Sequence, residues 1–156
     1  MLVSVLLLAG CQSGLADAQD LPAVDEAFFR CNVQPIVTKS CSMFLCHGDT
    51  KRYYTVFARN RLRFGVDERN AEMIEPEWRY AYDATRAHID REEPDESFLL
   101  KKPLDESAGG YFHGGATEFG QGDVYLSEDE QDYQTLSAWV NGATASADCA
   151  SSGGTP

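Results

Sequence analysis

Ser40-Cys41-Ser42-Met43-Phe44-Leu45-Cys46-His47-Gly48 is the stretch on which the reading of this chain turns. Two thiols lie five positions apart, and an imidazole follows the second directly. That layout suits covalent attachment of haem c, in which thiols add across the two vinyl groups and the adjacent imidazole reaches the iron from one face. Four residues between the cysteines, rather than the commoner two, oblige the spacer to bulge. Two other chemistries use the same residues. A Cys41–Cys46 disulfide would close a tight loop and leave His47 on the surface. A zinc site would need a closed set of four ligands, and only His88 and His113 remain to complete one. The leading expectation is one covalent haem c, with Cys41 and Cys46 as thioether donors and His47 as the proximal iron ligand.

The chain has five cysteines, an odd number. Cys11 ends the uncharged run Leu2-Val3-Ser4-Val5-Leu6-Leu7-Leu8-Ala9-Gly10, which is far shorter than the roughly 20 apolar residues that span a bilayer. Its length fits a signal-peptide hydrophobic region. Leu7-Leu8-Ala9-Gly10-Cys11 resembles the lipobox of bacterial lipoproteins, which implies cleavage before Cys11, its acylation, and a lipid anchor. Gln12 after the cysteine favours outer-membrane sorting by the same resemblance. The expected organisation is a signal peptide over 1–10, a flexible tether over 11–22, one domain over 23–149 and a disordered tail over 150–156. With Cys11 acylated and Cys41 and Cys46 on haem, Cys31 and Cys149 are left as a pair. An oxidising compartment favours a disulfide between them.

Phe28, Phe29, Val33, Ile36 and Val37 recur at helical spacing, which predicts a helix from Asp25 to Val33. Pro35 should kink it or restart it as a turn leading into Cys41. Tyr53 to Phe64 alternates loosely and reads equally as a short hairpin or an irregular loop. Pro76 suits a helix first turn, with Trp78, Tyr82, Thr85 and Ile89 on one face. Pro94 opens a short helix over Asp95–Leu100 that ends before Pro103. Ser107 to Gly122 is rich in glycine and reads as loop. Ser127 with Glu130 predicts a capping box for a last helix striped by Leu126, Tyr133, Leu136, Trp139 and Val140, and Asn141-Gly142 stops it. These helices hold too few apolar residues to close a core alone, so a bound macrocycle is expected to help fill it.

Taken in order, these pieces resemble the small cytochrome c domains of bacterial lipoproteins, akin to planctomycete-type cytochrome c modules. Phe29-Arg30-Cys31-Asn32-Val33-Gln34-Pro35-Ile36-Val37 leading to Cys41, Cys46 and His47 matches the first helix and attachment site. Glu93 to Leu104 matches the middle helix. Gly109-Gly110-Tyr111-Phe112-His113-Gly114-Gly115 matches the loop after it, and Tyr133 to Ala143 the last helix. The long spacer is similar to a variant seen in multihaem cytochromes. The resemblance implies a mainly α, cytochrome c-like fold with long Gly-rich loops, covalent haem and electron transfer. It departs in lacking a methionine in the late loop, where His113, with glycines on either side, is the candidate distal iron ligand. Met73 and His88 are weaker candidates. Two imidazoles lower the potential relative to His/Met ligation, so a low-potential, six-coordinate carrier is expected.

Charge narrows the partners. The 13 Lys and Arg stand against 25 Asp and Glu, for a net charge of −12. Nucleic acid is excluded as a natural partner because phosphate binding wants a positive surface, while a redox protein with a basic docking surface would be steered in. No Ser/His/Asp or Cys/His arrangement argues for hydrolysis, and no Gly-rich phosphate loop follows a strand. The expected role is therefore an electron carrier rather than an enzyme, with peroxidase chemistry requiring an open sixth position. The alternative is a haem-free, disulfide-stapled surface lipoprotein acting as a binding module.

Overall fold

Asp25 starts the first helix by accepting the Phe28 N–H on its side chain at 2.5 Å, an N-cap in a chain segment otherwise free to fray. The computed structural model describes residues 21–65, 67–114 and 123–151. The expected signal peptide, Cys11, the tether up to residue 20, loop residues 115–122 and tail residues 152–156 lie outside the described residues. Helix α1 (Glu26–Phe28) runs into a π-helical turn (Phe29–Val33) and then α2 (Gln34–Ser40). Pro35 cannot donate a hydrogen bond, and its ring would press on the carbonyl four residues back. The widened turn precedes it, with the Gln34 N–H donating to Phe29 O five residues back. The expected break is thus a wide turn inside a continuous helical run, as π-bulges commonly are.

Helix α3 (Glu75–Arg86) carries Pro76 in its first turn. The anticipated helix over Asp95–Leu100 is split into a 3-10 turn (Pro94–Glu96) and α4 (Phe98–Lys101). Ser97 lies between them in extended conformation, its hydroxyl donating to the Pro94 carbonyl and accepting the Asp90 N–H. Helix α5 (Gln131–Val140) starts later than the capping-box reading implies. Ser127 accepts the Asp129 N–H in a local turn, so Glu130 becomes the N-cap and its carboxylate reaches back to the Leu126 N–H at 2.6 Å. Leu126 is consequently exposed rather than part of the stripe. A short α6 (Ala147–Ser151) enters the stretch read as tail.

The chain is mainly helical, and no strand occurs among the described residues. Tyr53 to Phe64 is irregular rather than a hairpin. The core is built on Trp139, whose ring lies 5.3 Å from Phe29, with Tyr82 edge-on to Phe29 at 5.6 Å. The Trp139 indole N–H donates to the Asp25 carbonyl at 2.8 Å and the Tyr82 hydroxyl to the Val24 carbonyl at 2.6 Å. Both rings therefore bury without stranding a polar group. The expected shortage of core residues is met from loops: Val56, Leu104 and Tyr125 are buried with the helical residues. Cys31 and Cys149 form a disulfide with Cα atoms 6.2 Å apart, pinning α6 to the widened turn. Closing so long a loop stabilises by up to about 4–5 kcal/mol.

A second fastening holds the irregular segment that follows the candidate site. Arg63 and Glu77 pair at 2.8 Å, with side chains 3% and 0% exposed. Arg63 also donates to the carbonyls of Glu68, Arg69, Ala71 and Glu72, while Glu77 accepts the N–H groups of Phe64 and Ile74. Burial alone would raise the Glu77 carboxyl, but the guanidinium and the two N–H groups more than offset it and hold it below the usual carboxylate range. Because the folded pKa is depressed, this stabilisation is complete above the unfolded value of about 4.3 and is lost as pH falls through the folded one. Glu77→Gln leaves a buried guanidinium uncompensated, and denaturant unfolding at neutral pH should show a loss of about 3–5 kcal/mol. The difference from the native protein should shrink steadily as pH is lowered below 4.

Candidate haem-attachment site

The Cys41–His47 segment begins where α2 ends. The Cys41 and Ser42 N–H groups both donate to the Val37 carbonyl, at 2.9 and 3.1 Å. The Ser42 hydroxyl donates to the Thr38 carbonyl at 2.6 Å, so the helix C-terminus is satisfied as the chain turns away. The spacer then bulges. The N–H groups of Cys46 and Gly48 both donate to the Met43 carbonyl at 2.9 Å, and the His47 N–H closes the loop onto the Cys41 carbonyl at 3.0 Å. Met43, Phe44 and Leu45 point outward, 50%, 70% and 56% exposed. Gly48 is demanded by this turn: a Cβ there would stand 2.2 Å from the Ser42 carbonyl oxygen.

Cys41 and Cys46 are both free thiols, half-buried, and not bonded to each other. Burial, with Cys46 close enough to add to it, pushes the Cys41 thiol up to about 12. It stays protonated and inert toward casual oxidation at neutral pH.

His47 is held at both ends of the residue. Its carbonyl accepts the Val56 N–H at 2.7 Å, and its Nδ1–H donates to the Tyr54 carbonyl at 2.9 Å. That bond fixes the tautomer and leaves Nε2 with its lone pair free for a metal. Tyr54 also lays its ring against His47, centres 4.8 Å apart, and bonds Thr85 through its hydroxyl at 3.0 Å. Burial lowers the His47 pKa; the Tyr54 carbonyl opposes this, and nearby His113 and His88 reinforce it. The neutral, ligand-competent imidazole is therefore the favoured form.

His113 comes from a different part of the fold and meets His47. Their ring centres lie 6.0 Å apart with planes only 9° from parallel. The loop that delivers it is tied to α4: the Tyr111 N–H donates to the Lys101 carbonyl at 2.7 Å, and Lys102 Nζ donates to the Phe112 carbonyl at 2.8 Å. Gly110 lets that loop lie on the Leu104 backbone, where a Cβ would come within 1.8 Å of the carbonyl oxygen. Gly110 thus serves packing within the protein, and a Cβ at Gly114 would meet only open space. Burial lowers the His113 pKa, against the Asp123 carboxylate, which raises it.

The other candidates fall elsewhere. Met73 packs on the core. His88 sits past the end of α3, with Nδ1–H donating to the Ala84 carbonyl at 2.9 Å and its ring 4.8 Å from Tyr54. Among the described residues, no group of three or more His, Cys, Asp or Glu could hold a metal ion, so the closed zinc set has no basis there. Nor is any helix among them long and apolar enough to cross a membrane. Sequence reasoning missed Tyr54, the hub between His47 and His88; its only signal was a bulky aromatic soon after the attachment motif.

Set against family models, curated proteins and solved structures, the chain matches none. The mainly helical class stands on the structure. The geometry predicts that Gly48→Ala pushes the Cys41–His47 turn open. Histidine NMR should then show the His47 resonance moving toward free imidazole and its contact with His113 lost, while the helical circular dichroism is retained.

Proposed function

We propose that this chain is a c-type cytochrome, carrying one haem bonded to Cys41 and Cys46 and ligated by His47 and His113, which passes single electrons. The observation that carries the reading is the facing pair of imidazoles. His47 and His113 come from separate parts of the chain, and their rings lie with centres 6.0 Å apart and planes 9° from parallel, which puts two imidazoles beside the same pair of thiols. A haem would supply its own nitrogens to the iron, so His47 and His113 would suffice as the protein's ligands where a bare ion would need more. The donor set fits in its other parts also: two unbonded thiols beside His47, an imidazole with Nε2 free, and exposed apolar side chains at Met43, Phe44, Leu45 and Phe112 next to the ligands, which a macrocycle would cover.

In this role the haem supplies a one-electron couple, and the chain sets its properties. The Tyr54 carbonyl makes His47 a stronger donor by holding its Nδ1–H. Two imidazoles and a net charge of −12 both favour the ferric state. The lipobox-like run before Cys11 supports export and a lipid anchor, with the outer membrane favoured, and the acidic surface supports a redox protein partner with a basic face. His113→Ala removes the distal imidazole only. The ferric protein, matured in a host with haem-attachment machinery, should change from a low-spin to a high-spin absorption spectrum; an unchanged low-spin spectrum contradicts the assignment.

A further inference from the structure

Charge is spread unevenly along the chain. Residues 90–132 hold 13 of its 25 Asp and Glu but only 3 of its 13 Lys and Arg, so this stretch carries −10 of the net −12. The fold draws its two acidic runs together. Lys101 Nζ reaches Glu96 at 3.3 Å and Glu128 at 4.0 Å, which joins α4 to the turn before α5. Burial first, then Glu128, Asp95 and Glu96, push the Tyr133 hydroxyl up to about 12, so the three carboxylates act on one point. Asp90 and Asp105 serve local turns, and Asp132 pairs with Lys39. Glu92, Glu93 and Asp129 are exposed to solvent.

Apolar groups stand among these charges. Phe98, on α4, is 57% exposed while its neighbours Leu99 and Leu100 are buried. Tyr111 packs edge-on to Phe98, ring centres 6.2 Å apart, and donates its hydroxyl to Glu96 at 2.8 Å. Leu126, two residues before Glu128, is 69% exposed. Of the cations here, Lys101 is paired as above. Lys102 donates to the Phe112 carbonyl and lies 5.8 Å over the Phe98 ring. Exposed apolar side chains rimmed by charge of one sign have the form of a protein interaction site.

We propose that this face docks a basic protein segment, with its lysines and arginines against the carboxylates and its apolar side chains on Phe98 and Leu126. A second copy of this chain brings the same negative excess and is repelled, as is an anionic bilayer. The excess also steers a basic partner toward this face during encounter. His113 follows Tyr111 by two residues, so a docked partner lies close to the candidate site. That it exchanges electrons there rests on the haem reading above; the binding does not.

The probe is a short peptide alternating lysine with leucine, its binding to the full chain measured by calorimetry and mapped by amide NMR. Shifts should concentrate in residues 92–102, 111 and 126–130; shifts centred elsewhere overturn the proposal. Phe98→Ser and Leu126→Ser, both at exposed positions, should each weaken binding about fivefold or more with the helical circular dichroism unchanged. Glu93→Gln with Glu128→Gln should weaken it about tenfold and lessen its dependence on salt. Asp67→Asn with Glu68→Gln removes the same charge from the loop held by Arg63 and should leave affinity within about twofold. Equal losses in the two pairs, or equal binding of a peptide alternating lysine with serine, overturn the face. Self-association or binding to phosphatidylcholine vesicles that Phe98→Ser abolishes gives the face another occupant and overturns the proposal as well. A chain that matures without haem yet shows the expected pattern upholds the face, and the haem reading is then the one that fails.

Discussion

The return of the chain from Cys41 to His47 is the constraint on which the candidate site depends. One backbone bond, His47 N–H to the Cys41 carbonyl, closes the turn. One side-chain bond, His47 Nδ1–H to the Tyr54 carbonyl, aims the imidazole. The first is possible only because Gly48 has no side chain to strike Ser42, and the second only because the chain doubles back at once, with Val56 bonding the His47 carbonyl. Two thiols, an oriented imidazole and an outward-facing apolar bulge all follow from this turn. A neutral hydrogen bond of this kind contributes only about 1 kcal/mol to stability, so its weight lies in orientation rather than in folding energy.

Folding energy comes from elsewhere and frames the site from both sides. Phe29, Tyr82 and Trp139 bring the widened turn, α3 and α5 together. The Cys31–Cys149 bridge anchors the end of the chain to the widened turn. The buried Arg63–Glu77 pair collects the carbonyls of an irregular segment that has no ladder to satisfy them. A single guanidinium donates there to the carbonyls that a strand partner would bond in a sheet. With these fastenings in place the core is complete, and the apolar surface left uncovered includes residues beside the two histidines.

Much of this was legible in the sequence, and the pattern of success is physical. Helical periodicity marked α3 and α5, because burial of one face leaves a regular trace. Cysteine arithmetic gave the Cys31–Cys149 pair, since covalent bookkeeping does not depend on the fold. Local competition between side chain and backbone decided the places that differed. Ser127 took a turn bond instead of capping α5, and Ser97 split the middle helix by bonding the Pro94 carbonyl. Core closure by Val56, Leu104 and Tyr125 was not readable, because loop residues at long separations leave no period. At the site itself, His47 followed from Cys46, and His113 was picked out by its glycine setting. The approach of the two rings and the part played by Tyr54 arise only in three dimensions.

Two half-buried, unbonded thiols and two neighbouring imidazoles are the features the proposed function assigns to a haem. The most direct test is the intact mass of the protein after maturation in a haem-attaching host, measured under denaturing, non-reducing conditions. The account predicts the chain mass plus one haem, with the added mass mapping to the peptide that holds Cys41 and Cys46. A mass lacking haem, with those two sulfurs joined to each other, would contradict it.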